Sequence, residues 1–189
     1  MGGVSDTGYF LTGPPGVGKS TIFSRIIGLL EEHGCRVGGI SAPEERMGGR
    51  RIGFRIVDLM DGRSGWLARA GHHSTIRIGR YGVVVEDVLR IGVPALERAL
   101  READVIGVDE IGPMELAVPR LRDLIRAALE SPKPIIAVIH RRLRSSDPGL
   151  YRLAMVRGPI VTVTIDNRDK LLEEAIMVAG KLASRAGCG

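Results

Sequence analysis

The strongest constraint on the fold is the run Gly13-Pro14-Pro15-Gly16-Val17-Gly18-Lys19-Ser20. A short, apolar, β-prone stretch at residues 9–12 precedes it, and the apolar spacing after it predicts a helix over residues 19–32. Glycines between a strand and a helix N-terminus let backbone N–H groups form a concave nest, supported by the positive end of the helix dipole. Such a nest binds phosphates, so the run predicts a P-loop in an α/β chain that binds a nucleotide.

The polar residues that end this run suit contacts with the phosphates and metal ion of a bound nucleotide. The Lys19 ammonium can reach the β- and γ-phosphates, the Ser20 hydroxyl is placed to bind Mg²⁺, and Thr21 can contact the α-phosphate. A glycine-rich turn without a ligand is the structural alternative, and the flanking strand and helix make it the weaker one. The predicted nucleotide-binding residues here are Gly13, Pro14, Pro15, Gly16, Val17, Gly18, Lys19, Ser20 and Thr21.

A second segment carries the residues for chemistry. The apolar run at residues 105–108 ends in Asp109-Glu110, which places carboxylates at the edge of a sheet where ligands bind. We expect Asp109 to face Mg²⁺ beside Ser20, and Glu110 to orient and deprotonate an attacking water as the catalytic base. This requires the P-loop and the acidic pair to come from neighbouring strands and face a common metal. Ile111 and Gly112 complete the predicted nucleotide site.

Other side chains are weaker candidates, and for each a solvated or structural role is the alternative. Phosphoryl transfer generally uses a further cation, and the candidates are Arg46, Arg50, Arg51, Arg141 and Arg142. His140 follows an apolar strand and can contact the γ-phosphate. Asn167 is expected to cap the last helix, whose Arg168 can lie over the base.

The order of elements predicts the fold class. Strands alternate with amphipathic helices over a single domain, residues 1–189, which favours a mostly parallel sheet covered on both faces, a three-layer α/β architecture. Residues 43–85 are the exception, because they are β-rich without helices. We expect a small antiparallel extension there, beginning with a polar loop at residues 43–51.

The amino-acid composition indicates the cellular compartment in which the chain is expected. Hydrophobic residues make up 44% of the chain without a long apolar run, so no membrane partner is expected. Residues 1–7 lack the pattern of an export signal. Cys35 and Cys188 show no metal-binding spacing, and we expect both to be reduced in a cytoplasmic protein.

The excess of basic residues makes nucleic acid an alternative partner. The net charge is +5, with 23 arginines against 4 lysines, but the arginines are dispersed and aromatic residues are only 4%. A continuous binding track and stacking platforms are therefore not indicated. We expect nucleoside triphosphates as partners and a monomer. One Asn and no Gln are compatible with a thermophilic source.

Taken together, the motifs resemble a known family. They are the P-loop run extended to Thr21, Gly49-Arg50-Arg51-Ile52-Gly53-Phe54, Val108-Asp109-Glu110-Ile111-Gly112-Pro113-Met114-Glu115-Leu116, and Asn167-Arg168-Asp169. The chain is similar to the small P-loop nucleoside-triphosphatases of thermophilic prokaryotes and animals, which include cancer-related nucleoside-triphosphatase.

The resemblance implies a RecA-like sheet and Mg²⁺-dependent hydrolysis of ATP, GTP, CTP and UTP to diphosphate and phosphate, with loose base selectivity. It also implies that Lys19 and Glu110 are the catalytic residues. Pro113 departs from the family pattern, in which a lysine is common at this position.

Two other functions use the same P-loop. A nucleoside or nucleotide kinase would place an acceptor where the water sits, with the arginine-rich segment at residues 46–51 as a short lid. An RNA-coupled ATPase would hydrolyse only with its partner. Phosphate release without an acceptor separates the hydrolase from both alternatives.

Overall fold

The computed structural model describes residues 6–188, so most of the N-terminal segment considered for an export signal lies outside the described residues. The strands in chain order are β1 (Gly8–Thr12), β2 (Val37–Ser41), β3 (Glu44–Met47), β4 (Arg50–Asp58), β5 (Ser64–Ala70), β6 (Arg77–Ile78), β7 (Tyr81–Val83), β8 (Val105–Ile111), β9 (Ile135–Ile139) and β10 (Ile160–Thr162). The helices are α1 (Lys19–Glu32), α2 (Val85–Asp87), α3 (Val93–Glu102), α4 (Pro113–Leu116), α5 (Pro119–Glu130), α6 (Leu143–Ser146), α7 (Pro148–Arg157) and α8 (Arg168–Ala186). A π-helical segment, Val88–Gly92, joins α2 to α3.

All strands belong to one sheet with the order β10-β1-β9-β8-β2-β4-β5-β7-β6, and β3 pairs with β4. The five strands from β10 to β2 are parallel. From β2 onward every pairing is antiparallel. This confirms the predicted mostly parallel sheet with an antiparallel extension. Because parallel strands end at one edge, the loops after β1, β8 and β9 converge there.

Helices cover both faces of the parallel part, which confirms the three-layer α/β architecture. On one face, α1 and α8 pack on the sheet around Phe23, Ile26 and Leu182. On the other face, α3, α5 and α7 enclose a second core that includes Leu96 and Ile125. The amphipathic spacing of these helices supplies the apolar face that each one buries.

The segment at residues 43–51 is a hairpin, so the prediction of a polar loop was wrong. Strands β3 and β4 pair across Gly48 and Gly49, both of which have positive φ angles, 56° and 77°. A two-residue turn of this kind matches the twist of a hairpin and requires residues that tolerate positive φ. The exposed polar residues of β3 form an edge rather than a loop.

The two cysteines form a disulfide, which corrects the expectation of reduced thiols. Cys35 follows α1 and Cys188 follows α8, and their Cα atoms lie 5.2 Å apart. The two helices run side by side on one face, which brings cysteines 153 residues apart in sequence to the same place. Disulfides also occur inside the cells of hyperthermophiles, so the bond does not decide the compartment.

Within residues 6–188, none of the helices is both long and apolar enough to cross a bilayer.

Candidate functional site

The P-loop joins β1 to α1 at the converging edge of the sheet. Gly13 has a φ of 143°, and a Cβ at this position would overlap the carbonyl oxygen of Val163. Gly18, with a φ of 108°, stands at the N-terminus of α1. Glycine is therefore required at both positions, one for a close backbone approach and one for a left-handed conformation.

The side chain of Lys19 lies along the P-loop. Its Nζ donates hydrogen bonds to the carbonyl oxygens of Gly13 at 3.1 Å and Pro14 at 2.9 Å, and the residue is buried. A buried ammonium is stable only with such partners. The loop thus holds a positive charge at its centre, ready to pair with phosphate oxygens.

The acidic pair reaches the P-loop across an intervening strand. β9 lies between β1 and β8, so the expectation that the two segments occupy neighbouring strands was wrong. The Ser20 hydroxyl nevertheless donates a hydrogen bond to Asp109 Oδ1 at 3.4 Å. Ser20 lies in the first turn of α1, and this helix crosses the sheet face, so its N-terminus bridges the gap left by β9.

Three carboxyl groups lie together at the end of β8 and in α4. Burial raises the pKa of Asp109 to about 6. Burial also raises the pKa of Glu110, against the opposing charge of Lys19. Burial, followed by the negative charge of Glu110, raises the pKa of Glu115 to about 8. Perturbed carboxyl groups beside a P-loop are typical of a site that handles protons and cations.

Gly112 explains how Glu110 and Glu115 come together. A Cβ on Gly112 would lie 2.8 Å from Glu110 Oε1 and 3.1 Å from Glu115 Oε2. The two carboxyl groups therefore flank the glycine, and any larger residue would push them apart. In the sequence, Glu115 stands out only as part of the motif that begins at Val108.

A cavity of about 580 Å³ connects these groups. Its walls include the predicted site residues Gly13, Pro15, Gly16, Gly18, Lys19, Ser20, Thr21, Asp109, Glu110, Arg46 and His140. Other predicted residues are placed differently. Pro14 lines an adjoining pocket, whereas Val17 and Ile111 put their side chains into the core. Only the backbone of these two residues can face a nucleotide.

The weaker candidates divide between cavity and surface. Arg46, Arg51 and Arg141 line the cavity, whereas Arg50 and Arg142 do not. Arg46 and Arg51 both pair with Glu44, Arg46 at 2.8 Å and Arg51 at 2.5 Å.

His140 lies at the end of β9, and its Nδ1 accepts a hydrogen bond from the Arg142 backbone N–H at 3.3 Å. Burial, with the nearby charges of Arg142 and Arg141, lowers the pKa of the His140 imidazole. The neutral form is therefore favoured beside the phosphate site.

The start of α8 lies next to the P-loop. A Cβ on Gly18 would be 3.9 Å from Arg168 Cδ, so the stem of Arg168 passes over this glycine. Asn167 occupies the N-cap position of α8, as predicted, but its side chain makes no cap hydrogen bond to the helix. Its Oδ1 accepts from the Thr164 N–H at 2.8 Å and its Nδ2 donates to the Thr162 carbonyl at 2.9 Å, which secures the loop before the helix.

Sequence reasoning missed the apolar side of the cavity. The side chains that form it are Ala42, Pro43, Phe54, Leu67, Ile78 and Met114. Apolar and polar residues roughly alternate over residues 52–59, which indicates a strand with two different faces. No local signal shows which of these faces lines the cavity beside the P-loop. That depends on the pairing of β4 with β2, which is not encoded in either strand alone.

Comparisons with known proteins agree with this geometry. A family model described as NTPase matches residues 8–176. The nucleoside-triphosphatase THEP1 of Thermofilum pendens is 42% identical over 179 residues, covering 94% of this chain and 97% of the relative. The nucleoside-triphosphatase THEP1 of Methanopyrus kandleri is 45% identical over 168 residues, covering 88% of this chain and 91% of the relative.

Two solved structures share the fold. The crystal structure of THEP1 from the hyperthermophile Aquifex aeolicus superposes with a TM-score of 0.77 at 33% identity, covering 91% of this chain and 98% of that one. The solution structure of a human cancer-related nucleoside triphosphatase gives a TM-score of 0.69 at 33% identity, covering 89% of this chain and 94% of that one. With its P-loop, its acidic strand end and these matches over most of its length, the chain belongs to the NTPase family that includes the THEP1 nucleoside-triphosphatases.

Proposed function

We propose that this protein hydrolyses nucleoside 5′-triphosphates to diphosphate and inorganic phosphate, with Mg²⁺ bound at Ser20 and Asp109. The observation that carries the proposal is the 3.4 Å contact between Ser20 Oγ and Asp109 Oδ1. It places a hydroxyl from the P-loop helix and a carboxylate from β8 side by side, in the cavity that Lys19 and Glu110 also line.

The donor set at this point fits Mg²⁺. Among residues 6–188 there is no group of three or more His, Cys, Asp or Glu side chains that would hold a metal by itself. Mg²⁺ needs no such group in nucleotide sites, because it takes oxygen ligands from one or two side chains together with phosphates and waters. When bound, the ion neutralises charge on the phosphate oxygens.

The chain's own residues account for the remaining chemistry. The P-loop N–H groups and Lys19 bind and orient the phosphates. Glu110 accepts a proton from a water whose oxygen attacks the γ-phosphorus, and the bond from that phosphorus to the β,γ-bridging oxygen breaks. Diphosphate and inorganic phosphate leave.

We propose Arg141 as the additional cation. Arg46 and Arg51 are both engaged with Glu44, whereas none of the salt bridges among residues 6–188 involves Arg141. Arg141 follows β9, the strand between the P-loop strand and β8, so its backbone starts close to the γ-phosphate position.

Loose base selectivity follows from the position of Arg168. The stem of Arg168 passes over Gly18 of the P-loop, and we propose that its guanidinium covers the nucleobase of the bound triphosphate. A planar guanidinium stacks on any nucleobase without reading the hydrogen-bonding edge. We therefore expect ATP, GTP, CTP and UTP all to be substrates.

The test is phosphate release from each triphosphate, with and without Mg²⁺, in the absence of any acceptor or RNA. Glu110→Gln should lower kcat about a hundredfold or more while triphosphate binding is retained, since it removes only a general base. Lys19→Ala should weaken binding and abolish turnover. Glu31→Gln, an exposed carboxylate at the far end of α1, is the matched control and should change neither.

Near-normal turnover in Glu110→Gln would contradict the assignment of the base, and the same measurement on Glu44→Gln and Glu115→Gln would identify a replacement. Turnover that appears only after addition of RNA would support the coupled ATPase instead.

A further inference from the structure

The cavity extends well beyond the triphosphate site. From β8, which carries Asp109, the sheet continues through β2 and β4 to β5, which carries Leu67. At about 4.8 Å between neighbouring strands, Leu67 is roughly 14 Å from the strand of Asp109, measured across the sheet. With the nucleobase under Arg168, as proposed above, the nucleoside of the triphosphate extends in the opposite direction, because Arg168 and α8 follow β10, on the other side of β1. A triphosphate held by the P-loop therefore leaves this part of the cavity open.

We call this part the distal arm and define it by its apolar wall: Ala42, Pro43, Phe54, Leu67, Ile78 and Met114. The Phe54 ring is held edge-on by Tyr81, with 5.3 Å between ring centroids, and the Arg51 guanidinium lies 5.3 Å from its centre. Apolar walls with an ordered aromatic ring do not bind phosphate or magnesium. They suit a flat organic group such as a nucleobase.

The polar atoms of the arm also point to a ligand. Among the described residues, Arg51 Nε is buried without a hydrogen-bond partner. The same guanidinium donates to Glu44 through another nitrogen at 2.5 Å, so the side chain is anchored while one donor stays unused. A buried donor without an acceptor is costly, and a ring nitrogen or carbonyl of a nucleobase would satisfy it.

The chemistry at the mouth of the arm favours a neutral acceptor with a hydroxyl group. Glu110 lines the cavity together with the residues of the arm and of the P-loop, and Glu44 and Glu115 line it as well. A carboxylate base serves an alcohol, which must lose a proton as it attacks. A nucleoside monophosphate would bring two negative charges towards the Glu110 carboxylate, which disfavours it as the acceptor.

We propose that the distal arm binds a nucleoside and that the protein transfers the γ-phosphoryl group to its 5′-hydroxyl. This inference rests on the proposed function, because it uses the same triphosphate site. The 5′-oxygen attacks the γ-phosphorus, its proton passes to Glu110, and the bond to the β,γ-bridging oxygen breaks. The products are a nucleoside monophosphate and a nucleoside diphosphate. Water and the nucleoside compete for the same attacking position.

The experiment uses the full-length protein, Mg²⁺ and γ-³²P-labelled ATP, with adenosine, guanosine, cytidine, uridine or thymidine added separately. Labelled nucleoside monophosphate and labelled phosphate are separated by thin-layer chromatography. We expect at least one nucleoside to become labelled, with a matching fall in phosphate release.

Ile78→Trp tests the location of the acceptor. Ile78 is half-buried on the short strand β6 and lines the arm, so a larger side chain at this position fills part of the arm. Transfer should fall at least about tenfold, the size of effect that a changed apolar pocket produces, while hydrolysis without an acceptor is unchanged. Ile176→Trp on the exposed face of α8 is the matched control and should alter neither reaction.

The outcomes separate this inference from the proposed function. Phosphate release without labelling of any of the five nucleosides would overturn the acceptor arm and leave the hydrolase intact. Transfer that survives Ile78→Trp would place the acceptor elsewhere and equally overturn it. A protein that neither hydrolyses ATP nor transfers its phosphate would contradict the proposed function itself.

Discussion

The disulfide between Cys35 and Cys188 provides the most quantitative test of the structure. It closes a loop of 153 residues, about four fifths of the chain. In the chain-entropy account, a cross-link restricts the unfolded state by an amount that grows with the logarithm of loop length. For this loop the stabilisation is about 5 kcal/mol at 25 °C.

The perturbation is Cys188→Ala. Cys35 is buried among apolar side chains, and as a free thiol it keeps that packing, so the variant removes the cross-link and little else. We expect the free energy of unfolding to fall by about 5 kcal/mol, and Tm by roughly 10–20 °C for a chain of this size. Guanidinium titration and calorimetry, each with and without reductant, measure both quantities.

The controls follow from the same reasoning. Reductant should lower the stability of the wild-type protein to that of Cys188→Ala and leave the variant unaffected, and Ser184→Ala, at the same end of α8, should change little. The cross-link joins the ends of α1 and α8, at the edge of the sheet opposite the P-loop. Turnover well below Tm should therefore be unaltered. A stability difference below about 1 kcal/mol, or two titratable thiols in the untreated protein, would refute the argument.

Three further predictions concern the carboxyl cluster, the tight backbone contacts and the arginine pair after β9. Because the pKa of Glu115 is raised to about 8, the folded state holds a proton that the unfolded chain releases. This group should lower the free energy of unfolding by up to about 5 kcal/mol as pH rises from about 5 to 8, and chemical denaturation across this range should show most of the fall removed in Glu115→Gln. Gly39→Ala should destabilise the protein by about 3 kcal/mol or more, because φ is 131° and the new Cβ would overlap a carbonyl oxygen of β8. Gly28→Ala, in open space on α1, should stabilise it by about 1 kcal/mol, and parallel denaturant titrations compare the two. Arg141→Ala should lower kcat at least about a hundredfold, whereas Arg142→Ala, outside the cavity, should leave it close to wild type in the same phosphate-release assay.

Local patterns in the sequence predicted the parts of the site that lie within one stretch of chain. The P-loop joins a strand to a helix, and its requirements for glycine and lysine are met within eight residues. The Asp109-Glu110 pair could likewise be placed at a strand end, because an apolar run stops there. Apolar spacing predicted α1 for the same reason: a helix buries residues that repeat every three or four positions.

The tertiary structure decided what depends on pairing between distant segments. Hydrogen-bond pairing inserted β9 between β1 and β8, although nothing in either strand specifies its neighbour. Pairing between distant segments also places Phe54 and Leu67 in the cavity of the P-loop. Helix packing likewise brings together the two cysteines of the disulfide, which are 153 residues apart. The sequence alone determined the local conformations and the chemical groups at their ends. The sheet order and the helix packing decided which strand and helix ends lie together at the site. These contacts join residues that are remote along the chain, so local patterns do not predict them.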